Sequence, residues 1–346
     1  MMDYTESLLE RVSVHHVGNK TNEEELVLSK SLLDTDKTLD ALLSRFFLTP
    51  FANPEFHSFT FSNGDFTLNP LYIYASRIFE DAGVLQDTGA DIARHLYEIS
   101  VHPQIKPGDL FIAHFSNIVM EGRAVEALGI FKSENKQSFL KLNAGTGSFD
   151  LDYEDGINID KLDKGCLIFN AGQETGFKVC VIDKANKSEA QYWKDSFLQL
   201  KPCADDYHHT KDFLDIAKEF VTKQFAEEFE VTRADQIDLL NRSVNYFKNN
   251  ETFDKEEFVT EVFQDEKVIE AFNNYDESYR EEHQIELSDH FDISAQALKK
   301  QARVFKSVLK LDKNFHIYIH GDRELIEQGV DQDGRKYYKI YFEEES

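Results

Sequence analysis

The run DLFIAHFSNIVMEGRAVEALGIFK, residues 109–132, gives the clearest indication of architecture in this chain. It contains two apolar, β-prone segments, Asp109–Met120 and Ala124–Lys132, with Glu-Gly-Arg between them. Parallel strands need a crossover of a dozen or more residues, so a connection this short joins antiparallel neighbours. We therefore predict an antiparallel sheet in this part of the chain.

Further strands and helices are predicted on both sides of this pair. Five more β-prone runs are present: Glu25–Ser29, Ser138–Leu142, Cys166–Asn170, Phe177–Asp183 and Trp193–Leu200. Three amphipathic helices accompany them, namely one capped by Asp34 or Thr35 that ends near Phe47, one that begins at Asn69–Pro70 and ends at Gly83, and one at Gly89–Ser100. Closely spaced strands and separate helices favour an α+β arrangement over β-α-β units.

Helical spacing dominates after Pro202. It extends over Lys211–Phe229, Arg233–Lys248, Asp254–Phe263 and a long acidic stretch from Val268. Thr232, followed three residues later by Asp235, resembles a capping box. The chain then ends in two alternating, β-prone runs: Asn314–His320 and Lys336–Phe342.

The length and the change in pattern predict two domains. At 346 residues the chain exceeds the size that one hydrophobic core usually supports. We predict the α+β fold class, with residues 1–205 forming an α+β domain around an antiparallel sheet. Residues 206–346 are expected to form a mainly helical domain that ends in a C-terminal β-hairpin.

Charge is distributed unevenly along the chain. The formal net charge is −26, from 38 basic and 64 acidic residues. Lys299–Arg323 is the exception, because it contains seven basic residues and two acidic ones. Since a strongly acidic protein repels nucleic acid at long range, any contact with a polyanion is expected in this segment, or through a partner protein.

The segment Ser294–Lys310 (SAQALKKQARVFKSVLK) is predicted to form one amphipathic helix. Its face of about 60° carries four cations: Lys299, Arg303, Lys306 and Lys310. Three interpretations stay open: contact with phosphates, ion pairs with the acidic residues between 251 and 292 of the same or a second copy, and simple solvation. Phosphate contact through so few cations would be weak and salt-dependent.

The histidines and acidic loops match no metal-binding motif. The adjacent pairs His15–His16 and His208–His209 point their side chains apart, and His283 and His290 suit a solvated helix. Asp150–Gly156 fails as a calcium loop, because its glycine comes one position late and no bidentate glutamate follows. We predict no metal, no cofactor and no enzymatic activity.

The remaining composition favours a cytoplasmic protein. The three cysteines are widely spaced and form no disulfide framework or C-x-x-C motif. The sequence has no apolar run of membrane-spanning length, and its N-terminus lacks the features of a secretory signal. We therefore expect no membrane partner.

Several blocks of the sequence resemble the bacterial 37-kDa nucleoid-associated protein family. They are Val14–Asn19, Glu25–Ser29, Gly129–Glu134, Phe139–Lys141, Gly156–Ile159, Lys161–Phe169, Tyr192–Asp195 and Lys313–Ile319. The resemblance covers nearly the full length. It implies a cytoplasmic protein that is found with the bacterial nucleoid and associates with DNA or with proteins that act on DNA, and it brings no catalytic residues.

The favoured hypothesis is a non-enzymatic nucleoid-associated protein that contacts chromosomal DNA weakly, directly or through a nucleoid protein. Its expected DNA-binding residues are the four cations of the predicted helix. A different class of function is an acidic adaptor or nucleic-acid mimic that engages basic proteins. A metal-dependent hydrolase is the third. The sequence leaves the oligomeric state open and allows a homo-oligomer.

Overall fold

The chain consists of two units, Met1–Cys203 and Ala204–Ser346. The computed structural model describes residues 2–52, 55–144, 148–184, 192–283, 285–302, 305, 308–319, 325–342 and 344. Each unit has hydrophobic clusters of its own. Helices and antiparallel sheets are both abundant, which confirms the predicted α+β class.

The described part of the first unit contains eleven strands and three α-helices. The strands are β1 (Met2–Asp3), β2 (Leu8–Val17), β3 (Leu26–Leu28), β4 (Phe56–Phe59), β5 (Gly108–Met120), β6 (Arg123–Ser133), β7 (Gln137–Ala144), β8 (Phe149–Gly156), β9 (Lys164–Phe169), β10 (Lys178–Asp183) and β11 (Leu200–Pro202). The helices are α1 (Lys37–Leu48), α2 (Pro70–Glu80) and α3 (Leu85–Ile99).

Nine of these strands form one antiparallel sheet. Its order is β11-β4-β10-β9-β6-β5-β2-β3, and β1 pairs with the end of β5. β7 and β8 pair separately with each other. The antiparallel sheet predicted from residues 109–132 is therefore confirmed, with β5 and β6 as neighbours in its interior.

The turn between β5 and β6 has the geometry that its sequence favours. Met120 pairs with Arg123, so Glu121 and Gly122 are the two turn residues. Both have positive φ, 54° and 78°. Two positive φ values define a type I′ turn, which matches the twist of antiparallel strands and for which glycine is well suited.

Alternate residues of β5 enter two different hydrophobic clusters. Leu110 and Ile112 belong to the cluster that α2 and α3 cover. Phe111 and Phe115 belong to the cluster that α1 covers, where Phe47 packs between the rings. Because helices cover both faces of the sheet, its central strands appear in the sequence as continuous apolar runs.

Two helix ends differ from the predicted residues. Asp36, rather than Asp34 or Thr35, caps α1, because its carboxylate accepts a hydrogen bond from the backbone N–H of Leu39. α2 ends at its eleventh residue, before the predicted Gly83, because the residue that follows the helix is already extended. The third predicted helix is present and begins earlier, as α3.

The strand predicted at Trp193–Leu200 is wrong. Tyr192–Leu198 forms a π-helical turn, and pairing begins again at β11. The buried residues of this turn are Trp193, Phe197 and Leu198. Their spacing of four and then one residue places them on the same side of a helix, whereas a strand would divide them between two faces.

Two lysines are buried next to each other in the sheet. Lys132 of β6 pairs in register with Lys164 of β9, and their side chains are 0% and 1% exposed. Like charges opposite each other on neighbouring strands repel. This pair therefore needs nearby carboxylates.

Carboxylates and an aromatic ring compensate the two lysines. Lys132 Nζ donates to Glu134 Oε1 at 3.0 Å, and Lys164 Nζ donates to Asp183 Oδ1 at 2.8 Å. The ring centroid of Tyr192 lies 5.8 Å and 5.0 Å from the two Nζ atoms. Burial lowers the pKa of Lys132, and Glu134 opposes that change.

His15 of β2 is buried and neutral. Its Nδ1 accepts a hydrogen bond from the backbone N–H of Ser29, so its Nε2 carries the proton and donates to Ser13 Oγ at 2.9 Å. The Ser13 hydroxyl donates in turn to Gln86 Oε1. Burial, assisted by the charge of Arg94, lowers the pKa of His15 to about 4.

The first unit should therefore lose stability as the pH falls from about 6.5 to about 4, because the unfolded chain takes up a proton at His15 before the folded chain does. The stabilisation that comes from neutral His15 is fully present above about pH 6.5 and is lost as the pH falls towards about 4. We expect a His15→Gln variant to lose about 2 kcal/mol less free energy of unfolding over this range than the parent chain. Urea unfolding at both pH values measures this, and equal losses in the two chains would contradict the assignment.

The described part of the second unit contains six α-helices and six short strands. The helices are α4 (Asp206–Glu219), α5 (Phe225–Glu228), α6 (Arg233–Asn249), α7 (Lys255–Val262), α8 (Glu266–His283) and α9 (Ala295–Gln301), and a π-helical turn, Phe220–Gln224, connects the first two. The strands are β12 (Thr252–Asp254), β13 (His290–Asp292), β14 (Val308–Leu311), β15 (Phe315–Tyr318), β16 (Ile326–Val330) and β17 (Lys336–Ile340). They form three two-stranded sheets: β12 with β13, β14 with β15, and β16 with β17.

Phenylalanines fill the centre of the helical cluster. The ring of Phe213 on α4 lies 4.3–6.1 Å from the rings of Phe247, Phe253, Phe258 and Phe272. These distances are typical of favourable aromatic pairs. Phenylalanines thus supply much of the packing that holds this unit together.

Two local predictions for this unit are confirmed. Thr232 caps α6 in a capping box: its hydroxyl accepts from the Asp235 N–H at 3.2 Å, and the Asp235 carboxylate accepts from the Thr232 N–H at 2.7 Å. The C-terminal β-hairpin is present as β16 and β17.

The prediction of a single helix at Ser294–Lys310 is wrong. Ser294 caps α9, which ends at Gln301, and Lys310 lies in β14. β14 pairs with β15 from Val308 onwards. This pairing satisfies the backbone hydrogen-bonding groups of both strands. If residues 308–311 continued the helix, β15 would have no partner strand.

None of the helices in the described residues combines the length and the hydropathy that a membrane span requires.

Candidate nucleic-acid interface

A cavity of about 730 Å³ opens in the second unit beside the pair β14–β15. Helix α6 forms one wall, and residues that follow α9 contribute to another. The lining residues are Asn241, Val244, Asn245, Lys248, Ala302, Phe305, Val308, Lys310, His316 and Tyr318. The lining thus combines apolar side chains with two amides, two lysines and a histidine.

The register of β14 and β15 explains which side chains face the cavity. Lys310 pairs with His316, and Val308 pairs with Tyr318, so these four residues share one face of the two-stranded sheet. The opposite face carries Leu309, which is buried in a separate small apolar cluster. Alternation along two short strands therefore places a lysine and a histidine side by side at the surface.

Three lysines in this region have no carboxylate partner. Lys248 in the last turn of α6, Lys299 on α9 and Lys310 on β14 are all exposed. No carboxylate of a described residue lies within 4.0 Å of any of their amino groups. Their charges are therefore available to a ligand from outside this part of the chain.

Two acidic residues of the segment between 251 and 292 form ion pairs with basic residues of that same segment. Asp276 on α8 is buried and accepts from Lys255 Nζ at 2.6 Å and from Arg280 Nε at 2.7 Å. Arg280 also pairs with Asp289 at 3.0 Å. Lys255 and Arg280, two of the few basic residues of this acidic segment, therefore pair with carboxylates of the segment itself. Lys299 and Lys310 form no ion pair with a described residue of the segment, so they do not support the interpretation in which the predicted cations pair with it.

The structure describes two of the four residues that are predicted to bind DNA, Lys299 and Lys310. Lys299 and Lys310 lie on different elements, a helix and a strand, so the expected single face of four cations is not formed as predicted. Arg303 and Lys306 lie outside the described residues. Lys310 lines the cavity, and Lys299 lies three residues before Ala302, which lines it too.

Sequence reasoning missed the other two basic side chains of the cavity, Lys248 and His316. A signal for His316 was present, because it occupies a polar position in the alternating run NFHIYIH, opposite the apolar face of that strand. Lys248 had no such signal. Its place beside the strand pair depends on how α6 packs in the folded unit.

The histidines that were considered as metal ligands have other contacts. His283 stacks on the ring of Tyr279 at a centroid distance of 4.0 Å, and His290 pairs with Asp254 at 3.0 Å. His208 pairs with Asp205 at 2.9 Å. Among the residues that the structure describes, no group of three or more His, Cys, Asp or Glu side chains is arranged to hold a metal ion.

Comparison with known protein families gives a match over residues 13–338, which is nearly the whole chain. The matching family is described as nucleoid-associated protein YejK. None of the curated proteins matches the chain.

Proposed function

Because the chain belongs to the nucleoid-associated protein YejK family, we propose that it is a non-enzymatic protein of the bacterial nucleoid that contacts DNA directly. The contact surface is the cavity beside β14–β15, which Lys248, Lys310 and His316 line. We include Lys299, Arg303 and Lys306 as further contacts, because they belong to the same basic segment of the sequence. The proposal places the protein in the cytoplasm, on the chromosome.

The observation that carries this proposal is that three exposed lysines without a carboxylate partner among the described residues lie at or near one cavity. Lys248 and Lys310 line it, and Lys299 lies three residues before Ala302, which lines it too. Exposed cations in a concave, partly apolar site suit a ligand that carries several negative charges, such as a phosphate backbone. The family match adds no support for the acidic-adaptor hypothesis.

The binding should be weak and independent of base sequence. Five cations, namely Lys248, Lys299, Arg303, Lys306 and Lys310, could neutralise about five phosphates at most. The rest of the chain repels DNA. Contacts to phosphates position a protein without reading bases, so we expect similar affinity for duplexes of different sequence.

Neutralising two lysines of the cavity should weaken DNA binding. We expect Lys248→Gln combined with Lys310→Gln to lower the affinity for a fluorescently labelled duplex by about tenfold at low salt, because two phosphate contacts are lost. Fluorescence anisotropy measures this. The matched control is Lys223→Gln combined with Lys267→Gln, which removes the same charge from exposed positions in the π-helical turn Phe220–Gln224 and on α8.

Two results would contradict the proposed surface. The first is unchanged affinity in the cavity variant, and the second is an equal loss in the control, which would indicate a general effect of charge. A parent chain that does not bind DNA at all would favour recruitment through a nucleoid protein. Labelled DNA incubated with the protein and Mg²⁺ should be recovered intact, since we propose no enzymatic activity.

A further inference from the structure

β7 and β8 form a two-stranded hairpin that has no hydrophobic core of its own. Every residue of β7 is exposed, and so are all residues of β8 except the last. The two strands pair with each other and with no other strand of the described chain. An isolated two-stranded hairpin is marginally stable at best in water, so a covering surface would stabilise it considerably.

The register of the hairpin separates an apolar face from a polar one. Leu140 pairs with Tyr153, Leu142 with Leu151, and Ala144 with Phe149, so all six residues lie on one face. The other face carries mainly charged and polar residues: Phe139, Lys141, Asn143, Asp150, Asp152 and Glu154. Lys141 and Glu154 form an ion pair there, at 2.7 Å.

The apolar face is large for a surface exposed to water. Its five large side chains are 63–73% exposed. At roughly 100–150 Å² of exposed area each, they present about 600 Å² of apolar surface on one chain. Exposed apolar patches of this size mark interaction sites in soluble proteins.

We propose that this face packs against the same face of a second copy of the chain and forms a two-fold symmetric dimer. Two copies would bury about 1,200 Å² in total, which reaches the lower bound of stable protein interfaces. In an isologous contact the same patch serves both partners, and this patch is apolar at its six paired positions. Asp150, Asp152 and Glu154 lie on the opposite face, and Asp155 lies at the end of the apolar face, where it accepts a hydrogen bond from Ser138.

The charge of the chain also favours this occupant and this face. Two chains of net charge −26 repel each other, so they can associate stably only through a surface without facing charges. The apolar face meets that condition, since its six paired positions contain no ionisable group apart from the phenol of Tyr153. Because salt screens the repulsion and leaves apolar contacts intact, dimerisation should strengthen as the salt concentration rises.

The dimer would also affect the proposed DNA contact, although it does not depend on it. Each dimer carries two cation-lined cavities. Two weak contacts on one assembly bind a long polyanion more tightly than either contact alone.

Sedimentation velocity of the full chain tests the proposal. Between about 1 and 100 µM, the average mass should rise from 40.1 kDa towards twice that value. Leu142→Asp combined with Leu151→Asp should raise the dimer dissociation constant at least about 100-fold, since four carboxylates would meet at the interface. Both leucines are exposed, so the fold of the monomer should persist, as the fluorescence of buried Trp193 will report.

Lys141→Glu is the matched control, because it changes the net charge by the same −2 on the opposite face of the same hairpin. We expect its dissociation constant to stay within about threefold of the parent value. Hydrogen exchange gives a second readout: amides of β7 and β8 should become more protected as the concentration of the parent chain rises. A parent chain that stays at 40.1 kDa throughout, or a double-aspartate variant that still dimerises, would overturn the proposal.

Discussion

Replacing Glu134 with Gln should lower the free energy of unfolding of the first unit by about 3–5 kcal/mol. Glu134 is 4% exposed and accepts from Lys132, whose own side chain is completely buried next to Lys164. Without that carboxylate, two neighbouring buried lysines retain less negative charge to compensate them. An uncompensated buried charge is among the most costly changes that a single substitution can make.

Urea unfolding followed by the fluorescence of Trp193 measures this loss, because the single tryptophan of the chain is buried in the same unit. Glu98→Gln is the matched control: it removes the partner of Lys20 at an exposed position and should cost less than about 1 kcal/mol. Adding Lys132→Met to the Glu134→Gln variant should recover much of the loss, since it removes the uncompensated charge. Equal stability of the two single variants would show that the cluster is not electrostatically coupled.

Replacing Asp276 with Ala should destabilise the second unit by about 3–5 kcal/mol. Its side chain is 1% exposed and holds both Lys255 and Arg280, at 2.6 Å and 2.7 Å. The substitution leaves two cations without their shared carboxylate and opens a small polar cavity between α7 and α8. The unpaired cations and the cavity both lower the free energy of unfolding.

Hydrogen exchange at α7 and α8 is the appropriate measurement, because it reports on the second unit alone. The control is Asp289→Asn, which pairs with the same Arg280 at 3.0 Å but is 55% exposed. It should cost no more than about 1 kcal/mol. If the two substitutions accelerate exchange equally, the buried carboxylate of Asp276 stabilises the second unit no more than an exposed one, which would contradict the prediction.

The sequence predicted elements well where local chemistry determined them. The Glu121-Gly122 turn determines the antiparallel pairing of β5 and β6, and the Thr232–Asp235 capping box determines where α6 begins. Each of these two signals consists of residues that lie within four positions of one another along the chain. They therefore act in the same way before and after the chain has folded.

The errors arose where two periodicities fitted the same short run. The apolar residues of Trp193–Leu200 were assigned to a strand, although the buried members have helical spacing. The opposite error occurred at residues 308–311, where apolar residues matched a helix but β15 supplies strand pairing. Tertiary context decides such short segments, and a single sequence does not contain that context explicitly.

The candidate site was predicted in part for the same reason. Local charge density identified the region that contains Lys299 and Lys310, both of which are exposed. Lys248 joins Lys310 at the cavity through the packing of α6, across a long separation in sequence. The exposure of the β7–β8 hairpin also had no sequence signal, since its alternating apolar residues are typical of a strand that is buried on one face.

The salt dependence of DNA affinity tests the central claim most directly, which is that cations of this region contact phosphates. For five contacts, the logarithm of the affinity should fall against the logarithm of the salt concentration with a slope of about −4.5. The variant with Lys299→Ala, Arg303→Ala, Lys306→Ala and Lys310→Ala should bind more weakly, with a slope of about −1. If the four substitutions leave both the affinity and the slope unchanged, these residues do not contact DNA and the proposed interface is wrong.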